Sequence, residues 1–342
     1  MSLSLTIVIP TLNCAGILTQ CLDALRKQNY PPSLVQILVI DGGSIDNTVN
    51  IADQYDVKII YNPLKTGEAA KALGVLNSTS DIIAFIDSDN IAPDPSWITR
   101  MIEPFQDETI VATEPLRYTY RPNDGYLTRY CALMGMNDPL CYYLGNYDRW
   151  NSLDQQWTRI SLPHIVYKTY TVINLSRLRK IPTIGANGTL IRAIHARRAM
   201  EDSQYYFDTD IIYKLCQHSD ISIAKVDIDI VHIYARSLKD IWRKQNRRIN
   251  DYYHYQYVRT CSYPWRDFAI RNYVNFILQT ILVIPLLNVV LRGFIRIPDV
   301  AWFAHVPVCI LTLIAYSYAF LKYQILNIPT SADRTRWRQV IY

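Results

Sequence analysis

Short apolar runs alternate with segments of helical period through the first half of the chain. Leu5 to Pro10 reads as a buried strand, and a helix is predicted from about Ala15 to Gln28. Gln36 to Ile40 reads as a second strand, closed by the turn residues Asp41-Gly42-Gly43-Ser44. A helical stretch from Asn47 to Tyr55 precedes a third strand, Val57 to Tyr61, and a helix from Gly67 to Asn77 precedes a fourth, Ile82 to Ile86. Strands separated by helices predict a parallel sheet with helices on both faces. Ligands of such sheets bind beyond the carboxyl ends of the strands. Asp41 and the triplet Asp87-Ser88-Asp89 both fall at such ends.

The pattern then loosens. Residues 117–182 hold many aromatic and polar residues with few clear periods, and are expected to be a substrate-facing insertion around a strand near Tyr167 to Leu175. Gly185-Ala186-Asn187-Gly188 marks a turn, followed by a helix from about Asp208 to His218 and a strand from Ile221 to Val226. From Arg236 to Arg271 basic residues outnumber acidic ones and tyrosines and tryptophans are interleaved, which describes helices lying on an anionic membrane surface. Val274–Leu291 and Val300–Leu321 contain no charged residue, and each is long enough to be a candidate span. The short connector Arg292 to Asp299 would make them a hairpin, either transmembrane or re-entrant. The basic residues before it, with Arg334, Arg336 and Arg338 after it, put both ends on the cytoplasmic side. The expected organisation is therefore a domain over 1–235, interfacial helices over 236–271, a hairpin over 272–325 and a basic tail over 326–342.

Composition refines this modestly. With 342 residues, half of them hydrophobic, the chain can bury one substantial core. Its 26 tyrosines suit a membrane interface or a carbohydrate groove, although scattered half-buried tyrosines account for most. The seven cysteines are dispersed, with no Cys-x-x-Cys pair, so neither a zinc site nor a disulfide framework is indicated and a reducing setting follows. The first ten residues lack the features of a signal peptide. The apolar runs that follow the basic stretch argue against nucleic acid as a partner.

Two close carboxylates at the end of a buried strand suit a divalent cation carrying a diphosphate. The same spacing recurs at Asp208-Thr209-Asp210 and Asp227-Ile228-Asp229, so context must separate the three. The last lies in an alternating strand pattern and reads as a solvated face.

An ordered set of motifs over roughly residues 3–240 resembles the family 2 glycosyltransferases. It comprises Ile7 to Asn13, Val39 to Thr48 (with Gly42 where the family usually has a second Asp), Lys65-Thr66-Gly67 with Lys71, Asp87-Ser88-Asp89, Gly185 to Gly188, and Asp208-Thr209-Asp210. The resemblance implies an α/β GT-A fold with a Rossmann-like mixed sheet, here followed by the amphipathic stretch and two membrane helices. It implies an inverting transferase using a UDP- or GDP-linked sugar and Mg²⁺ or Mn²⁺. Asp41 would accept a hydrogen bond from a pyrimidine ring N–H, or else serve as a turn residue, and Thr11 would line the same pocket. Lys65 and Lys71 would lie on the diphosphate side. Asp89 would contact the metal, Asp87 would hold the ribose or the metal's water shell, and His232 would stand near metal and diphosphate. Asp208 would be the general base, with Phe207 replacing the family's Glu, and Asp210 would favour the start of the following helix.

Gln245-Asn246-Arg247-Arg248-Ile249 resembles a Gln-x-x-Arg-Trp motif without its aromatic, so Arg247 or Arg248 would reach the donor phosphates or anionic lipid. The expected acceptor is a hydroxyl of a lipid or lipid-linked saccharide at the cytoplasmic face of the inner membrane. The oligomeric state is open. A polyprenyl-phosphate transferase, which needs no base, and a non-catalytic membrane scaffold are the alternatives.

Overall fold

The computed structural model of the chain describes residues 2–200, 204–218, 220–256 and 263–330. Tyr257, Arg259, Cys261, Arg334, Arg336 and Arg338, all used in the sequence reading, lie outside the described residues. The strands are β1 (Leu5–Thr11), β2 (Val35–Asp41), β3 (Lys58–Tyr61), β4 (Ile82–Phe85), β5 (Asn90–Ile91), β6 (Ile110–Tyr118), β7 (His164–Val166), β8 (Tyr170–Asn174), β9 (Thr189–Arg192) and β10 (Ser222–His232). Through the sheet they run β3-β2-β1-β4-β9-β6-β10-β8-β7, with β5 pairing separately on β10.

The four strands read from the opening pattern form the parallel half, as expected. Strand β9 is antiparallel to both β4 and β6 and joins this half to the parallel pair β6–β10. The sheet is therefore mixed. Strand β10 is twice as long as the pattern from Ile221 to Val226 suggested, because Asp227 and Asp229 continue it on the outward side, where both pair with Arg117.

The helices are α1 (Ala15–Arg26), α2 (Thr48–Ala52), α3 (Gly67–Asn77), α4 (Trp97–Ile102), α5 (Tyr126–Met134), α6 (Leu140–Leu144), α7 (Ala193–Met200), α8 (Asp208–His218), α9 (Leu238–Tyr255), α10 (Ile270–Leu282), α11 (Ile284–Arg296) and α12 (His305–Phe320). Two apolar clusters cover the two sides of the sheet. One gathers α1 and α4 on Ile7, Ile9 and Val39. The other gathers α3, α5, α6 and α8 on Val8, Leu38 and Phe85, and continues into the C-terminal helices. The stretch from 117 to 182 is less irregular than its sequence suggests. It contains α5 and α6, and Tyr147, Arg149 and Asn151 within it are fully buried. Its helices are short and apolar on nearly every side, so no amphipathic period marks them.

Of the two apolar runs expected to form a transmembrane or re-entrant hairpin, the first is not one straight helix. It is two helices, α10 and α11, bent by 91° at Val283, which takes φ 62°. A β-branched residue avoids that region, and Pro285 in the first turn of α11 adds a residue with no backbone N–H to extend α10. The second run is one helical stretch over Val300–Ile325, long and apolar enough to cross a membrane. Polar contacts to the domain nevertheless mark one side of it: His305 is buried against Tyr130 (2.9 Å) and Thr312 accepts from Gln245 (3.0 Å). Helix α9 opens with a capping box formed by Ser237 and Asp240 and packs along α12.

One close approach governs the seating of α3 on the sheet. A Cβ on Gly74 would stand 2.4 Å from Val8 Cγ1, so the helix backbone rests directly on β1. Overpacking at such a contact costs about 1–3 kcal/mol. Gly74→Val is therefore expected to lower the denaturant midpoint in equilibrium unfolding, whereas Leu76→Val on the exposed side of α3 leaves it nearly unchanged.

Candidate active site

The carboxyl ends of β1, β2 and β4 meet the amino end of α8 along one edge of the sheet. Strand β4 stops at Phe85, and the chain turns through Asp87-Ser88-Asp89 before β5 pairs with β10. Asn90, fully buried, holds this turn from both sides. Its Oδ1 accepts from the Asp87 backbone N–H (3.2 Å), and its Nδ2 donates to Asp89 Oδ1 (3.3 Å) and to Asn187 Oδ1 (3.3 Å). One side chain thus ties the triplet to the glycine-rich turn across the edge.

Besides Asn90, two groups converge on Asp89. His232 Nε2 lies 3.6 Å from Oδ1 and Lys244 Nζ 3.5 Å from Oδ2. Burial opposes the charge on Asp89, but His232 and Lys244 outweigh it and hold the carboxyl below its ordinary range. Lys244 arrives from α9, also donates to the Tyr234 carbonyl (2.5 Å) and stands over that ring. The sequence points to His232 near this group but not to Lys244, which it counts only among the basic residues of the stretch expected on a membrane surface.

On the other flank, Lys71 of α3 bridges two carboxylates. Its Nζ is 2.6 Å from Asp208 Oδ2 and 3.8 Å from Asp87 Oδ1. Burial alone would discharge this ammonium, yet the two aspartates hold its pKa above the ordinary lysine range. Burial pushes the Asp208 carboxyl up to about 7 against the pull of Lys71. Its second oxygen, Oδ1, is buried and has no hydrogen-bond partner among the described residues. That orphan acceptor sits in the first turn of α8, where negative charge is favourable. Asp210, also in the first turn of α8, accepts from the Tyr263 backbone N–H (2.7 Å).

The turn from Gly185 to Gly188 lies against Asp208. Gly185, Asn187 and Gly188 all take positive φ, and a Cβ on Gly185 would meet the Asp208 carbonyl oxygen at 2.7 Å. A buried charge cluster fixes this turn from beneath. Glu114 of β6 accepts from the Gly185 N–H and the Thr189 hydroxyl (both 3.0 Å) through Oε1. Through Oε2 it pairs with Arg149 (2.7 Å) and Lys225 (2.5 Å). Arg149 in turn donates to the carbonyls of Ala186 (2.7 Å) and Asn187 (3.2 Å). Burial lowers the Lys225 pKa to about 8, and Arg149 and Lys225 keep Glu114 ionised despite burial. None of the three was singled out from the sequence. A Glu in β6 opposite a Lys in β10 reads as ordinary strand polarity until the register pairs them.

The remaining expected residues separate into two groups. Asp41 is almost fully buried, and both its oxygens are spent on the turn after β2. Oδ1 accepts from Thr11 (3.0 Å) and Ser44 (2.5 Å) hydroxyls, and Oδ2 accepts from the Gly43 and Ser44 N–H groups (both 2.8 Å). This is the turn-residue role, and a ring N–H would have to share an oxygen already carrying two bonds. Lys65 takes φ 58° beside the Gly42–Gly43 backbone, at the same edge. Arg247 and Arg248 leave the edge. Arg248 pairs with Asp138 (3.2 Å) and Gln245 (2.8 Å), and Arg247 is exposed on α9.

Residues 6–170 match the sequence model described as Glycosyl transferase family 2. The chain carries a family 2 glycosyl transferase domain. Among its curated relatives, glycosyltransferase AglE of Haloferax volcanii is 32% identical over 127 residues, 35% of this chain and 41% of that protein. Glycosyltransferase GlyG of Streptococcus pneumoniae is 28% identical over 131 residues, 36% of this chain and 42% of that one. The matched region thus spans about two fifths of these relatives' length. Among solved structures, the mannosyltransferase PcManGT from Pyrobaculum calidifontis, in complex with GDP-Man and Mn²⁺, aligns with 99% of this chain and 84% of its own. Its TM-score is 0.51 at 13% identity, a likeness of fold. The mixed sheet of this family 2 domain is the GT-A fold.

Removing one partner from a buried charge cluster leaves the others uncompensated, at about 3–5 kcal/mol. Glu114→Ala is accordingly expected to unfold at a markedly lower temperature than Glu114→Gln, whose remaining amide oxygen can still accept from Gly185 and Thr189. Thermal unfolding followed by circular dichroism measures the gap.

Proposed function

We propose that the chain is an inverting, metal-dependent glycosyltransferase that moves a sugar from a UDP- or GDP-linked donor to a hydroxyl of a lipid or lipid-linked saccharide. The observation that carries this reading is the unpartnered, buried Oδ1 of Asp208, on a carboxyl whose pKa is about 7. A base of that pKa is well matched to taking a proton near neutral pH. The acceptor hydroxyl gives its proton to Asp208 as its oxygen attacks the anomeric carbon. The bond from that carbon to the diphosphate breaks on the opposite face, and the diphosphate leaves with the electron pair. A single displacement of this kind inverts the anomeric centre.

The donor side draws on Asp89, Asp87, His232 and the cations around them. Among the described residues, no three His, Cys, Asp or Glu side chains converge closely enough to hold an ion by themselves. Mg²⁺ needs no such cage, because it commonly takes one or two carboxylates plus substrate phosphates. The ionised Asp89 carboxylate, still 23% exposed, fits that partial donor set, with Asp87 beside it. A divalent ion bound there would neutralise the charge growing on the diphosphate. Lys71 stands between Asp87 and Asp208 and joins the donor and acceptor flanks. Thr11, Asp41 and Lys65 shape the nucleotide end through the turn after β2.

The membrane part of the proposal rests on the C-terminal helices. Ile270, Ile277, Ile281, Leu282, Ile284 and Ile295 are all exposed on α10 and α11, opposite the faces that pack on the domain. An apolar surface that large marks an interaction site. The 91° bend, with one side of α12 packed on α9, suits helices lying in the plane of a bilayer at its cytoplasmic face. The six described cysteines are all free, in keeping with a reducing compartment.

Asp208→Asn is expected to lower kcat for a hydroxyl acceptor by about 10²–10⁴-fold with little change in donor KM, read by nucleoside diphosphate release. Undiminished transfer by this variant would instead mark an acceptor that is already an anion, such as a polyprenyl phosphate. In the native enzyme kcat/KM should fall as pH drops below about 7, because the base is lost on protonation. Chelation of divalent ions should abolish transfer, and Mn²⁺ or Mg²⁺ should restore it.

A further inference from the structure

Helices α10 and α11 each carry three faces rather than two. On α11, Leu286, Val289, Val290 and Gly293 are buried, and Ile284, Leu287, Leu291, Phe294 and Ile295 are exposed and apolar. Asn288 and Arg292, one turn apart, form a third, polar stripe. On α10 the same division leaves Asn275 and Gln279 as the polar stripe, joined by a hydrogen bond of 2.7 Å. The bend at Val283 folds the two stripes toward each other, and between them lies a cleft of about 240 Å³ floored by Tyr142 and Arg159 of the domain.

The charges in this cleft are unequal. Arg159 is fully committed: two of its nitrogens hold Asp154 (2.7 and 2.9 Å), a third donates to the Tyr142 carbonyl (3.0 Å), and its plane lies 4.2 Å from the Tyr142 ring centre. Arg292 has no hydrogen-bond or ion-pair partner among the described residues, and neither does Asn288. In water an exposed arginine needs none. With Leu291, Phe294 and Ile295 against a bilayer, however, its guanidinium is held at headgroup depth, and desolvating an unpaired cation there is costly. Its planar fork matches the oxygens of a phosphate.

We infer that the elbow between α10 and α11 is a headgroup site for an anionic phospholipid of the phosphatidylglycerol type, with Arg292 on the phosphate, where no choline cation competes for it, and Asn288 on the headgroup hydroxyls. The inference deepens the membrane-docking reading above and rests on it. The cleft shares no lining residue with the edge that carries Asp89 and Asp208. The lipid is therefore a positional anchor that fixes the domain's orientation on the bilayer, rather than the molecule being glycosylated.

Flotation of the full chain with vesicles of phosphatidylcholine alone, or containing phosphatidylglycerol, tests it. The native chain should bind both, and the anionic vesicles more tightly. Arg292→Gln should weaken binding to anionic vesicles by at least about fivefold, the effect of one interfacial cation, and leave binding to phosphatidylcholine intact. Asn288→Leu is the deciding variant. It changes no charge and adds apolar surface, so a built site predicts reduced preference for phosphatidylglycerol, whereas diffuse attraction predicts none. An unchanged preference in Asn288→Leu, or an equal loss in Arg271→Gln on the exposed start of α10, overturns the site while leaving membrane docking in place. Failure of the native chain to float with either vesicle overturns both.

Discussion

A carboxylate with no exposure to solvent cannot stay ionised unless its charge is answered on the spot, and Glu114 is such a group. Its four partners come from three separate pieces of chain: Lys225 from the neighbouring strand, Arg149 from the loop after α6, and Gly185 and Thr189 from the glycine-rich turn as it enters β9. None of these pieces can shift without stranding a charge in the interior. The requirement reaches the active edge through the Gly185 turn. That turn touches Asp208 on one side and, through Asn187 and Asn90, the Asp87–Asp89 triplet on the other. The placement of Asp208 and the Asp87–Asp89 triplet relative to one another thus follows from a desolvation constraint beneath the edge. Such a cluster adds little net stability compared with apolar packing, but it tolerates few alternative arrangements.

The parallel half of the sheet was legible because buried strands and amphipathic helices announce themselves by period. The predicted helix over Gly67–Asn77 and that over Asp208–His218 begin and end at the observed residues. The carboxylates of the site were legible too, since an Asp at a strand end is informative once the strand is known. What escaped was everything that depends on register or on faces turned inward. Glu114 and Lys225 become partners only when β6 and β10 are aligned, and Asn90 is an unremarkable loop residue until Asn187 is brought opposite it. Lys244 sits in a run of basic residues whose composition says surface. Only the fold turns that one position toward Asp89. The apolar runs at the C-terminus misled in another way. Hydropathy counts residues along the chain and is blind to the bend that a positive φ at Val283 puts in the first of them.

Helix α9 connects these two regions physically. One side of it carries Lys244 to Asp89 and Arg248 to Asp138, and another rests on α12 through the Gln245–Thr312 bond. Tyr316 of α12 donates to Asp138, the same carboxylate that pairs with Arg248. The helix that brings Lys244 to the Asp87–Asp89 triplet is therefore braced by α12, the most apolar of the described helices. Helix α12 and the helix that carries Lys244 are thus joined directly, by the Gln245–Thr312 bond and by the Asp138 carboxylate they share. If α12 meets a bilayer and the Asp89 edge a donor, as proposed above, both would act on this shared element and their energies would be coupled whenever either one moves α9. The direction is reciprocal: a donor that draws Lys244 from Asp89 toward its phosphates would shift the same helix against α12. On the proposed membrane-docked reading, this gives a physical reason for a sugar-transfer domain to bury part of its C-terminal helices in its own core, where a simple tether would only hold it near the lipid.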